Sequence, residues 1–198
     1  YGCYRHVGQR AGNIHIGSYG AASFARALVT GVNAEAFAID VNADGSKGYY
    51  SVFWVKADSP YQKVEDLKGK VLGLVDPNSG SGYNMPMFTL DGMGIDPKSH
   101  FSNLLMTGSH ENAVLALAAG TVDAAVNWWN SEDDSNLTRM LTKGMVKKPD
   151  GSAMKKEDFR IVWKSPLLPG SPFAYLADMP DDMKKAIAKA FVDAPRLD

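Results

Sequence analysis

Apolar residues along this chain switch repeatedly between a two-residue and a three-to-four-residue spacing, with Gly, Pro, Ser and Asn at the switches. Residues 14–17 predict a short strand, and Ser18-Tyr19-Gly20 a turn. Phe24, Ala25 and Leu28 fall at helical spacing within 21–29. Phe37, Ile39 and Val41 alternate with smaller or polar residues, as a strand does, and Asp44-Gly45 turns the polar loop that follows. The β-branched and aromatic run at 49–56 predicts a strong strand, which Ser59-Pro60 ends. A short helix at 64–69 closes on glycine, and 71–75 reads as a strand buried on both faces. A helix is expected over 80–90, with Pro86 near its first turns. After a strand at 104–106 comes a helix at 110–119 with Ser109 as N-cap, Glu111 as a favourable early charge and Gly120 as its stop. A strand is expected at 122–126, and 127–135 is polar apart from Trp128 and Trp129. Then follow a helix at 137–145, a charged loop, a strand at 159–163, a Pro/Gly-rich crossing at 166–172 and a strand at 173–176. An amphipathic helix at 181–192 ends the series, with Met183, Ile187, Ala190 and Phe191 on one face. Strand and helix alternate throughout, so the expected class is α/β with mainly parallel sheets.

The 198 residues suit one large domain or two small lobes. A net charge of −1 leaves no electrostatic footprint for nucleic acid or an anionic membrane, so any anion site must be local. The single cysteine, Cys3, excludes a disulfide framework. No apolar run is long enough to span a bilayer and no signal peptide is visible. Tyr1 is not an initiator Met, so the chain is expected to be processed, trimmed or incomplete.

Two turns share one design. Asn78-Ser79-Gly80-Ser81 and Thr107-Gly108-Ser109-His110 each follow a strand and open a helix. Ser79 or Ser81 can cap the first helix, and the glycines permit close backbone approach. Free N–H groups, hydroxyls and the positive end of a helix dipole suit a phosphate, phosphonate or carboxylate. His110 sits at the first position of its helix, where it can point outward. Tyr49 and Tyr50 are neighbours on a strand and face opposite ways, so one of them can bring a hydroxyl to a cleft. The Asp133-Asp134 pair reads as solvated surface. No catalytic set emerges: the chain has no Gly-x-Ser-x-Gly elbow and no His-Glu-x-x-His, and His6, His15, His100 and His110 lack metal-ligand spacing. The glycine pattern lacks the lysine of a P-loop. Neither a cofactor nor a metal is expected.

Five blocks carry a resemblance: 48–55 (Gly-Tyr-Tyr-Ser-Val-Phe-Trp-Val), 65–70 (Glu-Asp-Leu-Lys-Gly-Lys), 76–82 (Asp-Pro-Asn-Ser-Gly-Ser-Gly), 108–113 (Gly-Ser-His-Glu-Asn-Ala) and 163–166 (Trp-Lys-Ser-Pro). In order and spacing the chain resembles the phosphonate-binding proteins, the periplasmic components of phosphonate/phosphite ABC importers. The resemblance covers most of residues 14–195. It implies a type II periplasmic binding fold, two α/β lobes joined by crossing strands and closing on a ligand in the cleft between them. It also implies that this chain is truncated at both ends and that lobe one is partial. By the same mapping lobe one is 1–57 with 166–198, and lobe two is 58–165.

The resemblance places the phosphorus oxygens at Ser79, Gly80 and Ser81, with His110 and either Tyr49 or Tyr50. Aminophosphonate binders carry a carboxylate at a position that falls near Asn130, with Glu132 and Asp133 close by, and a second where this chain has Ser171. With that acid replaced by serine, Trp128 and Trp129 become candidates for a methylated ammonium, because a tryptophan face attracts cations. The implied function is a periplasmic or lipid-anchored binding protein that hands a phosphonate or related phosphorus oxyanion to an inner-membrane permease. The alternative is a ligand-sensing domain of a LysR-type regulator on the same fold. An enzyme is disfavoured for want of a nucleophile–base pair.

Overall fold

The computed structural model describes residues 11–42, 45–148 and 150–194. Cys3, His6 and Asp44 of the expectations above lie outside them. In chain order the described elements are β1 (Ile16–Ser18), α1 (Ala21–Val29), β2 (Ala34–Ile39), β3 (Gly48–Lys56), a 3₁₀ turn (Val64–Leu67), β4 (Val71–Leu74), a π turn (Gly80–Asn84), α2 (Met85–Gly92), α3 (Pro97–His100), β5 (Asn103–Met106), α4 (His110–Ala119), β6 (Ala124–Trp129), α5 (Asn136–Thr142), a second 3₁₀ turn (Lys156–Asp158), β7 (Phe159–Lys164), β8 (Leu168–Pro169), β9 (Pro172–Leu176) and α6 (Asp181–Asp193). They fall into two compact units, residues 1–48 with 169–198, and residues 49–168. The division falls between Gly48 and Tyr49, at the start of β3, which pairs along the rest of its length with β6 and β7 inside the second unit.

In the smaller unit β9 lies between β1 and β2 and runs antiparallel to both. Tyr19, Ala27, Val32 and Ala174 form one small core. Tyr175, Leu176 and Met179 form a second, joined by Phe37 and Ile187.

The larger unit holds a sheet ordered β5-β4-β6-β3-β7, with β8 also paired to β3. The expectation of mainly parallel sheets is corrected here. β4 pairs in parallel with β5 and β6, but β3 is antiparallel to both β6 and β7. Alternation of strand and helix along a sequence says nothing about strand order. The antiparallel pairs join strands that are distant in sequence and need no helical crossover. Alternate residues of β3 feed two cores. Val52 and Trp54 pack with Ala113, Val114 and Leu117 of α4 and with Leu137 and Met140 of α5. Phe53 and Val55 pack with Leu72, Leu74 and Leu90 on the opposite face.

Two expected elements differ from those observed. The helix expected from Gly80 opens as a π turn, in which the Asn84 N–H reaches back to the Ser79 carbonyl at 3.0 Å, and α2 begins only at Met85. The strand expected at 122–126 runs instead over β6 and takes in both tryptophans.

Asp123, just before β6, ties the sheet to the loop after β3. Its carboxylate accepts from the Val71 N–H at 2.9 Å and from the Tyr61 hydroxyl at 3.1 Å. Asp123→Ala leaves both donors without that acceptor and is expected to cost about 1–3 kcal/mol in urea unfolding, with Asp123→Asn milder. Equal stability of wild type and alanine variant would show that the staple contributes nothing.

Candidate functional site

The turn after β4 is built from backbone and serine. The Val75 N–H donates to the Gly82 carbonyl at 3.0 Å. Ser79 has extended backbone and is the N-cap, its Oγ accepting from the Gly82 N–H at 3.0 Å. The Asn84 side-chain amide donates to the Ser79 carbonyl at 2.9 Å. From β3, the Ser51 hydroxyl donates to the Ser81 carbonyl at 2.6 Å. A Cβ at Gly82 would lie 2.4 Å from Val75 Cγ2 and 2.7 Å from Ser79 Oγ, so no larger residue fits without moving the turn. Gly80 lies against Tyr49, whose Oη is 3.2 Å from where a Cβ would stand. The first N–H groups of the helical segment have no carbonyl one turn behind them and face outward with the positive end of the dipole.

The second turn is joined to the first at the end of the neighbouring strand. The Thr107 N–H donates to the Leu74 carbonyl at 2.8 Å and the Gly108 N–H to the Val75 carbonyl at 2.9 Å. Gly108 has φ +81°, a conformation that favours glycine. Ser109 caps α4 by accepting from the Asn112 N–H at 3.1 Å. The Asn127 amide, buried in β6, donates to the His110 carbonyl at 3.0 Å and fixes the start of that helix.

This docking brings His110 Nε2 to 3.4 Å from Ser79 Oγ. Its Nδ1 is buried and has no hydrogen-bond partner among the described residues. Burial pushes the His110 pKa below the ordinary histidine value, against the opposing pull of Glu111, the Asn127 side chain and Asp76. The ring is therefore held toward its neutral form. Burial also pushes the Tyr49 phenol up, opposed by a hydrogen bond with Ser81, so it stays a protonated donor at neutral pH. Tyr49, Ser79, Ser81 and His110 thus gather neutral hydroxyl and ring N–H groups at one helix opening. That arrangement can hold an oxyanion.

The other expected site residues make contacts of their own. Tyr50 turns to the α4 side of the sheet and meets Trp129, with ring centroids 5.7 Å apart. The Lys164 ammonium sits 3.9 Å from the Tyr50 centroid and 3.8 Å from that of Trp129. Trp128 carries the Arg139 guanidinium over its ring at 4.8 Å, and Arg139 pairs with Asp134 at 2.9 Å. Both tryptophans therefore already face cations of this chain. Glu132 pairs with Lys156 at 2.7 Å, Asp133 is exposed, and Asn130 donates to Asp134 at 2.8 Å. Asp134, which the sequence suggests is solvated surface, is thus the carboxylate that Asn130 meets. Ser171 belongs to the smaller unit, between β8 and β9. Sequence reasoning missed Ser51, Asn127 and Lys164. Ser51 and Asn127 leave a trace as polar residues in strands that are otherwise apolar. Among the described residues no group of three or more His, Cys, Asp or Glu could hold a metal, and no helix is long and apolar enough to cross a membrane.

Residues 6–196 match the family model for the periplasmic substrate-binding protein of phosphonate ABC transporters. The chain belongs to that family. It is 34% identical over 190 residues to the phosphonates-binding periplasmic protein of Escherichia coli K12, covering 94% of this chain and 52% of the relative. It is 28% identical over 175 residues to a phosphate-import protein of Mycolicibacterium smegmatis, covering 84% of this chain and 51% of the relative. The crystal structure of a binding protein component of an ABC phosphonate transporter from Pseudomonas aeruginosa superposes with a TM-score of 0.75 at 30% identity, covering 95% of this chain and 59% of that one. The chain thus spans about half the length of the curated relatives it matches. The fold is the α/β fold of type II periplasmic binding proteins. The phosphonate-binding family is one of extracytoplasmic transport components, and the comparisons do not favour the regulator alternative.

Proposed function

We propose that this chain forms the ligand-holding part of a periplasmic binding protein that captures a phosphonate, or a related phosphorus oxyanion, and delivers it to an inner-membrane ABC permease. The observation that carries this reading is the convergence of Ser79, Ser81, Tyr49 and His110 on one helix opening beside Gly80. Relatives named for phosphonates and for phosphate point to the same ligand chemistry. The proposed contacts are backbone N–H groups at Gly80 and Ser81, the hydroxyls of Ser79, Ser81 and Tyr49, and the His110 ring. Tyr49 is the tyrosine of the pair that takes this role, because Tyr50 is engaged by Trp129 and Lys164. Donors that are neutral in the free protein, with a helix dipole, suit a carrier, since the empty site presents no permanent charge to the anion.

A hydrogen bond to a charged group contributes about 1.5–3 kcal/mol, so Ser79→Ala is expected to raise the Kd for methylphosphonate roughly tenfold or more. Isothermal calorimetry on the full-length protein reads this directly. An unchanged Kd with an intact melting transition would remove Ser79 from the site.

A further inference from the structure

Ser51 is fully buried in β3, followed by the buried apolar run Val52, Phe53, Trp54 and Val55. A hydroxyl in such a place needs a partner, and this one donates to the Ser81 carbonyl at 2.6 Å. The Ser51 backbone is fixed in turn by Ser165. The Ser51 N–H donates to Ser165 Oγ at 2.9 Å, and the Ser165 N–H donates to the Ser51 carbonyl at 2.9 Å. Ser165 is itself buried, and its hydroxyl donates to the Pro166 carbonyl at 2.6 Å. Ser51 therefore presents its hydroxyl from a base whose polar groups are all paired.

The carbonyl that Ser51 grips belongs to the peptide that joins Ser81 to Gly82. The N–H of that same peptide donates to Ser79 Oγ at 3.0 Å. A peptide unit is planar, so a bond at its oxygen fixes the direction of its N–H. It also polarises that N–H and strengthens what the N–H donates. Ser51 thus reaches Ser79 through one rigid plane. A hydroxyl has one hydrogen and two lone pairs. With one lone pair of Ser79 Oγ committed to Gly82, its hydrogen turns away from that N–H and is left to donate. The rest of the cluster is held by other bonds. The Ser79 carbonyl accepts from the Asn84 N–H at 3.0 Å and from the Asn84 side-chain amide at 2.9 Å, and the Ser81 side chain is hydrogen-bonded with Tyr49. The Ser79 hydroxyl is the part of the cluster whose direction depends on Ser51.

We infer that Ser51 is a positioning residue, which acts from behind the turn through the Ser81 carbonyl so that Ser79 presents its hydroxyl hydrogen to the phosphorus oxyanion. The inference rests on the proposal that the Ser79 cluster holds that oxyanion. Without Ser51 the peptide is free to tilt, the Gly82 N–H leaves Ser79, and the Ser79 hydroxyl loses its fixed direction.

The test titrates methylphosphonate by calorimetry into full-length wild type, Ser51→Ala, Ser79→Ala and the double variant. Ser51→Ala is expected to raise the Kd about tenfold while keeping a single melting transition. In the Ser79→Ala background the same substitution is expected to change the Kd by less than about threefold, because the group that it positions is gone. Asp123→Ala controls for lost stability. It removes an acceptor at the start of β4 and β6, the opposite end of these strands from the Ser79 turn, and is expected to leave the Kd within about threefold. Native-state hydrogen exchange reads the same link without ligand. Relative to the amides of β3, the Gly82 amide is expected to be protected in wild type and to exchange at least about tenfold faster in Ser51→Ala. Equal Kd values for wild type and Ser51→Ala would overturn the inference, as would an equal weakening by Asp123→Ala. So would full multiplication of the two effects in the double variant, or a Gly82 amide that exchanges freely in wild type. In each case methylphosphonate binding that weakens in Ser79→Ala leaves the proposed phosphonate site standing. Failure of wild type to bind methylphosphonate would overturn that function, and this inference with it.

Discussion

Gly82→Ala is expected to abolish measurable phosphonate binding and to lower stability. The new Cβ would stand 2.4 and 2.5 Å from two side-chain carbons of Val75 and 2.7 Å from Ser79 Oγ, all shorter than van der Waals contact. Val75 is buried under the turn, so relief must come from displacing the turn itself. That displacement pulls Ser79 off the Gly82 N–H and moves Gly80 and Ser81 away from Tyr49. Overpacking of this kind costs about 1–3 kcal/mol of stability. Loss of two charge-assisted hydrogen bonds corresponds to an affinity loss on the order of a hundredfold or more. Gly92→Ala is the control, because nothing lies within 4 Å of a Cβ at that position. Equal affinity of wild type and Gly82→Ala would show that the oxyanion does not rest on this turn.

Affinity is expected to rise on acidification through His110, whose ring prefers opposite charge states in the free and the bound protein. In the free protein burial holds the ring neutral, so its folded pKa lies below the unfolded value of about 6.5. The unfolded chain therefore binds the proton more readily. The stability contributed by the neutral ring is present above about pH 6.5 and is lost as pH falls through the folded pKa. A bound phosphorus oxyanion beside Ser79 reverses the preference, since it favours the charged ring. Binding should then take up protons, and the Kd should fall by up to about tenfold per pH unit on acidification between the free and bound pKa values. Proton uptake can be read by calorimetry in buffers of different ionisation enthalpy. The same titration of His110→Gln measures the contribution of the ligand's own ionisation, which is subtracted from that of wild type. Identical proton uptake by variant and wild type would exclude His110 as the linked group.

Much of this fold was legible because its signals are local. Ser109 and Gly120 bracket α4 by capping chemistry that needs no distant partner, and the structure places both as expected. The turn after β4 was legible for the same reason, although two serines offered themselves as its cap and only the docked structure distinguishes Ser79. The tyrosine pair shows where local reasoning stops. Alternation puts Tyr49 and Tyr50 on opposite faces, but which face carries the site depends on α4 packing on one side of β3 and the Ser79 turn on the other. The end of β6 was hidden by Asn127, a polar residue whose partner is a carbonyl 17 residues away. The seat of Lys164 needs three strands in an order that no sequence period encodes.

The anchors of the Ser79 turn have a kinetic consequence. Ser51, Val75 and Asn84 grip it by its carbonyl oxygens, and Ser79 grips it by its own hydroxyl. Segments held in this way before a ligand arrives lose little chain entropy when it binds. Encounter then finds a receiving surface already in shape, and ligands that share a phosphorus head are expected to meet it at similar rates. Differences among them will show in how long each one stays.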